Sequence, residues 1–136
     1  NEITFQRMYR ESIDDPATFW GRVAAELPWM RPWSQVLDWS HAPFARWFVG
    51  GKLNASVVAL DQHIEAGRGG KRALVWEGEP GDARTLTYSE LLDEVCRFAN
   101  ALKAQGVKRG ARTEIYTPMI VEAVFAMLAC ARIGAA

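Results

Sequence analysis

The sequence predicts an α/β fold preceded by a helical, tryptophan-rich N-terminal extension. Three observations carry this prediction. Residues 1–54 hold five of the six tryptophans, Trp20, Trp29, Trp33, Trp39 and Trp47. Residues 55–136 alternate helical and strand-like patterns, which argues for a parallel or mixed sheet covered by helices. Thr113–Ala135 reads as a strand, a Pro-started helix and a glycine stop. Such a βα unit ordinarily feeds a further strand, and none follows. Because the chain also starts with Asn1 rather than Met, an incomplete fold is expected, a fragment of a longer protein.

The elements follow in order. Ile3, Met8, Tyr9 and Ile13 can line one face of a short first helix. Asp15 then precedes Pro16, an N-cap followed by proline at the first helical position. The helix it starts should run to about Glu26, with Phe19, Val23 and Leu27 on one side. Leu27-Pro28 stops it, and Pro32 and Pro43 predict irregular chain through Trp47. A segment of this kind is too irregular to fold alone, so its tryptophans are expected to pack against a neighbouring domain. Asn54 is a candidate N-cap for a helix over Ala55–Glu65, ended by Gly67, Gly69 and Gly70.

Arg72–Glu77 reads as a buried strand, Glu79-Pro80-Gly81-Asp82 as a turn and Arg84–Thr87 as a second strand. Thr87-Tyr88-Ser89-Glu90 is a capping box. The helix behind it should bury Leu91, Leu92, Val95, Phe98, Ala99 and Leu102 and stop at Gly106. Arg112–Thr117 is the predicted third strand of this half. Thr117 and Pro118 should start the last helix, apolar almost all round and therefore deeply buried.

Bulk properties narrow the function classes. A chain of 136 residues is one domain in size and can bury about two-thirds of its surface. Sixteen basic residues balance sixteen acidic ones, so no net field favours nucleic acid or an anionic membrane. The longest nearly apolar run, Met119–Ala131, is too short to span a bilayer and carries Glu122. Cys96 and Cys130 are too few for a secreted disulfide framework and read as buried helical thiols. A cytoplasmic protein fits these features.

Motif by motif, the chemistry is sparse. Gly50-Gly51-Lys52 superficially resembles a phosphate loop, but Leu53 follows the lysine and the earlier glycine is missing, so a plain turn accounts for it. Gly67-Arg68-Gly69-Gly70 fails the dinucleotide fingerprint, since Arg72 stands where the third glycine belongs and a helix precedes it. His41 and His63 have no His or Cys at metal-ligand spacing. Neither cysteine has a local activating base. Asn54-Ala55-Ser56 matches a glycosylation sequon with no secretory leader to support it. Asp14-Asp15 is explained by capping and the helix dipole, and Arg68, Lys71 and Arg72 by a solvated loop. The tryptophans could stack a base, but no basic groove accompanies them. No residue is assigned a catalytic, cofactor-binding or metal-binding role.

Several segments together resemble the acetyl-CoA synthetases, AMP-forming members of the adenylate-forming ligase superfamily. They are Tyr9–Trp20 (YRESIDDPATFW), Trp33–Trp39 (WSQVLDW), Trp47–Asn54 (WFVGGKLN), Leu60-Asp61-Gln62-His63, Trp76–Asp82 (WEGEPGD), Thr87–Leu102 (TYSELLDEVCRFANAL) and Met119–Ala135 (MIVEAVFAMLACARIGA). The resemblance implies that residues 1–54 are the N-terminal extension of such enzymes and 55–136 the opening, with its first βα units, of the large AMP-binding domain. It implies a two-step ligase. A carboxylate, acetate or propionate, attacks the α-phosphate of ATP with Mg²⁺, and coenzyme A then displaces AMP to form the thioester. That chemistry needs cations and oriented N–H groups around a polyphosphate. The family supplies them from a Ser/Thr/Gly-rich loop, later motifs and a C-terminal lysine, none of which matches a segment here. The chain alone is therefore expected to be structural and inactive, binding no ATP, Mg²⁺ or coenzyme A, with the rest of the parent ligase as its partner and no nucleic acid or membrane. Thr117 and Val121 depart from the Met and Pro expected there; Pro118 is expected to start the helix instead. Two other readings stand beside this one: a ligase module of a multifunctional propionyl-CoA synthase, and a non-catalytic interaction module.

Overall fold

The computed structural model describes all residues, Asn1–Ala136, as two compact units, Asn1–Leu53 and Asn54–Ala136. The first unit contains α1 (Glu2–Asp14), α2 (Pro16–Ala24), β1 (Gln35–Asp38) and β2 (Arg46–Val49). Asp15 caps α2 as expected, its carboxylate accepting from Thr18 N–H at 3.1 Å with Pro16 at the first helical position. The apolar residues of α1 face water; Ile3, Met8, Tyr9 and Ile13 are all exposed. Its polar side meets α2 instead, through Glu11, which pairs with Arg7 at 2.7 Å and Arg22 at 2.9 Å.

The chain between Pro32 and Trp47 is not irregular throughout. β1 and β2 pair antiparallel, with Leu37 opposite Trp47. Pro32 precedes this hairpin and Pro43 lies in its connecting loop, so neither occupies a ladder position. Nor do the tryptophans all wait for outside cover. Trp29, Trp33 and Phe48 form a triangle of rings 4.9 to 5.3 Å apart, and Trp29 Nε1–H donates to the Ala24 carbonyl at 2.7 Å. Phe48 takes a left-handed backbone conformation (φ 51°), which this ring packing holds in place.

The second unit has one hydrophobic core. Its strands β3 (Arg72–Glu77) and β4 (Ala83–Thr87) form an antiparallel hairpin, and its helices are α3 (Tyr88–Ala104) and α4 (Val121–Ile133). Leu91, Val95 and Ala99 of α3 and Val121, Phe125 and Ala129 of α4 recur every four residues and bury against Leu60 and Leu86. The capping box of α3 is complete: Thr87 Oγ1 accepts from Glu90 N–H, and the Glu90 carboxylate accepts from Thr87 N–H at 2.8 Å. Gly106 and Gly134 adopt positive φ just past the two helices, the geometry expected of their stops.

Several expectations for this unit need correction. All strand pairing is antiparallel, so no parallel sheet is formed by these residues. β3 is half-buried rather than buried, with Val75 65% exposed, because a two-stranded hairpin covers only one face. Arg112–Thr117 forms no strand. Only its start is tied down, Thr113 N–H donating to Ala136 O at 2.7 Å. The last helix starts at Val121, three residues beyond Pro118. Ile120 is extended (φ −116°, ψ 162°), and Pro118 closes a tight turn by accepting from Ile120 N–H. This helix is also less enclosed than expected, since Met127 is more than half exposed.

The helical stretch after Asn54 begins where expected but is π-wound over Val57–Asp61 and Ile64–Arg68, past the predicted end at Glu65. A side chain explains the first widening. Gln62 N–H reaches back five residues to Val57 O, and the freed Val58 carbonyl accepts from the Gln62 side-chain amide. Gly67 (φ 74°) then turns the chain toward β3.

Candidate functional site

The most ordered polar constellation joins the start of the π-wound segment to the end of α4. Asn54 Oδ1 accepts from Ser56 N–H (3.0 Å) and Val57 N–H (3.3 Å), while Nδ2 donates to the carbonyls of Ala131 (3.3 Å) and Arg132 (3.0 Å). One side chain therefore caps two helical ends at once. Arg132 grips Asp61 with two parallel N–H···O bonds of 2.8 Å and also donates to Ser56 Oγ at 3.3 Å. Ser56 is fully buried, and Asp61 and Arg132 are about three-quarters buried. Arg132 holds the Asp61 carboxyl below the usual carboxylate range, and Asp61 raises the guanidinium in return.

The Asp61 carboxylate and the Asn54 amide are spent on other members of this network, and no buried side-chain nitrogen or oxygen is left without a partner. Such a network rigidifies a fold. Sequence reasoning placed Asn54 as a cap but missed the Asp61–Arg132 pair, whose members lie 71 residues apart. The only local signal was a charged residue within each apolar helical pattern.

The other sequence candidates fall into structural roles. Gly50-Gly51-Lys52 is a turn. Gly51 N–H donates to Phe48 O, Lys52 pairs with Arg31 through backbone bonds, and a Cβ on Gly51 would lie 2.6 Å from the Trp29 ring. Gly69 packs on the start of α3, its carbonyl accepting from Ser89 N–H at 3.1 Å. His63 packs against Tyr88 with tilted rings, centroids 4.7 Å apart, and Arg68 donates to its Nδ1 at 2.7 Å. His41 bonds to Ser40 Oγ in the β1–β2 connection. Asn54 has its amide engaged and half-buried, which argues against a sugar acceptor.

Cys130 is buried in α4, and Cys96 lines a cleft of about 320 Å³ with Asn100, Lys103 and Arg132 but no carboxylate or histidine. A second hollow, about 560 Å³, separates α1 from α2 and is lined by arginines and carboxylates, with Glu11 already paired. The third, about 500 Å³, is apolar and lies between β3, residues 115–120 and α4; Trp76 Nε1–H donates across it to Met119 O at 2.8 Å. No group of three or more His, Cys, Asp or Glu residues stands near enough to hold a metal ion. No helix is long and apolar enough to cross a membrane.

Comparison with known proteins supplies what this geometry lacks. Residues 5–59 match the acetyl-coenzyme A synthetase N-terminus family, and residues 60–136 match the AMP-binding enzyme family. The second match alone spans more than half of the chain. The chain belongs to the AMP-binding enzyme family. Among the relatives of this family member is an acetyl-coenzyme A synthetase of Deinococcus radiodurans, 55% identical over 131 residues, 96% of this chain and 20% of that protein. An acetyl-coenzyme A synthetase of Mycobacterium bovis is 56% identical over 128 residues, covering 93% of this chain and 20% of that protein. The acetoacetyl-CoA synthetase of Streptomyces lividans superposes with a TM-score of 0.83 at 34% identity, covering 93% of this chain and 20% of that structure. The chain spans about a fifth of the length of these relatives. The α/β character and the helix-then-small-sheet order agree with that placement within the family.

Proposed function

We propose that the chain is the N-terminal portion of an AMP-forming acyl-CoA synthetase that activates acetate or propionate with ATP and transfers the acyl group to coenzyme A. In this reading residues 1–54 are the extension and residues 55–136 open the adenylation domain, and the parent enzyme is cytoplasmic. One observation carries it: identity above half to acetyl-coenzyme A synthetases, continuous across both matched families in the same order.

The role of these residues within the parent is scaffolding. ATP, Mg²⁺ and coenzyme A do not fit the residues present. The glycine turn at 50–52 is filled by Trp29, and the Asp61 carboxylate and Asn54 amide are engaged within their own network. What the network does is fix the end of α4 against the π-wound segment, so that the chain beyond Gly134 leaves in a defined direction. The test is acetate-dependent ATP–pyrophosphate exchange by the 136-residue chain. No exchange above the protein-free blank is expected; robust exchange overturns the assignment of these residues to a scaffold.

A further inference from the structure

We draw no further inference here: the strongest candidate, the outward-facing apolar stripe of α1 formed by Phe5, Met8, Tyr9 and Ile13, is an unpartnered face of one short helix, and nothing in the structure shows what covers it.

Discussion

Only two apolar side chains of residues 1–53, Phe19 and Ala24, are well buried, whereas residues 54–136 bury ten. The first unit relies on ring-to-ring contacts among Trp29, Trp33 and Phe48 and on a backbone that lets those rings meet. The second relies on two helical stripes that interlock with Leu60 and Leu86. Aromatic pairs add roughly 0.5–1.5 kcal/mol beyond their buried area, and a fully buried aliphatic or phenyl side chain contributes about 1.5–3 kcal/mol. The two units should therefore fail differently. The first is sensitive to backbone shape, the second to lost volume.

The sharpest way to break this contrast is to remove core volume. Phe125→Ala in α4 should cost about 3–5 kcal/mol, because the cavity would sit between stripes that cannot close over it. Phe5→Ala, at an exposed ring, should change stability by less than about 0.5 kcal/mol. Urea unfolding followed by circular dichroism compares the two; equal effects would remove the distinction. The Asp61–Arg132 pair comes next. Asp61→Asn should cost about 2 kcal/mol, since a largely buried guanidinium loses its charged acceptor.

The pH dependence of that pair has a fixed sign. Arg132 lowers the folded-state pKa of Asp61 below its unfolded value. Its stabilisation is therefore complete above the unfolded value of about 3.9 and is lost as pH falls through the lower folded value. Glu11 in the first unit is also lowered, by Arg22 and then Arg7, but its side chain is half-buried and both arginines are exposed. Half-molar salt should then weaken the Glu11 pairs while leaving the Asp61 pair largely intact. Carboxylate chemical shifts followed between pH 2 and 5, with and without salt, read both sites directly. A Glu11 titration as salt-resistant as that of Asp61 would count against the burial difference.

Much of this architecture was legible in the sequence because the determining interactions are local. The Asp15-Pro16 start, the Thr87–Glu90 box, the β3–β4 hairpin and the glycine stops each depend on residues a few positions apart. What the sequence hid was non-local. The β1–β2 hairpin is held partly by Arg31–Lys52 pairing, the 57–61 widening by a side chain bonding its own helix, and the Asp61–Arg132 pair by a contact across the core. Arg112–Thr117 has strand composition but finds no neighbour to pair with, and β propensity expresses itself only against one. The proline rule misplaced the α4 start because Pro118 favours extended chain just as well as a helix start. For the site, family resemblance said more than any constellation, since the polar residues here are consumed by packing.

A backbone-shape test sharpens the other side of the comparison. Gly51→Ala places a methyl 2.6 Å from Trp29 Cζ3 and 3.0 Å from the Phe48 carbonyl, so the ring must leave its triangle. Overpacking of this kind costs about 1–3 kcal/mol. The loss should appear as a collapse of near-ultraviolet dichroism from the tryptophans, with α3 and α4 amides exchanging as in the unaltered chain.

The smallest expected effect is at the α3 capping box. Thr87→Ala removes the hydroxyl that accepts from Glu90 N–H and leaves the Glu90 carboxylate holding one end of a reciprocal pair. The cost should be about 1 kcal/mol. It should be local, because α3 keeps Leu91, Val95 and Ala99 in the core. Amide exchange should therefore quicken over the first turn, Tyr88 to Leu91, and stay unchanged at Ala99. Quickening that spreads along the whole helix would show that the cap, and not the buried stripe, governs the stability of α3. The second unit would then resemble the first in depending on backbone geometry more than on buried volume.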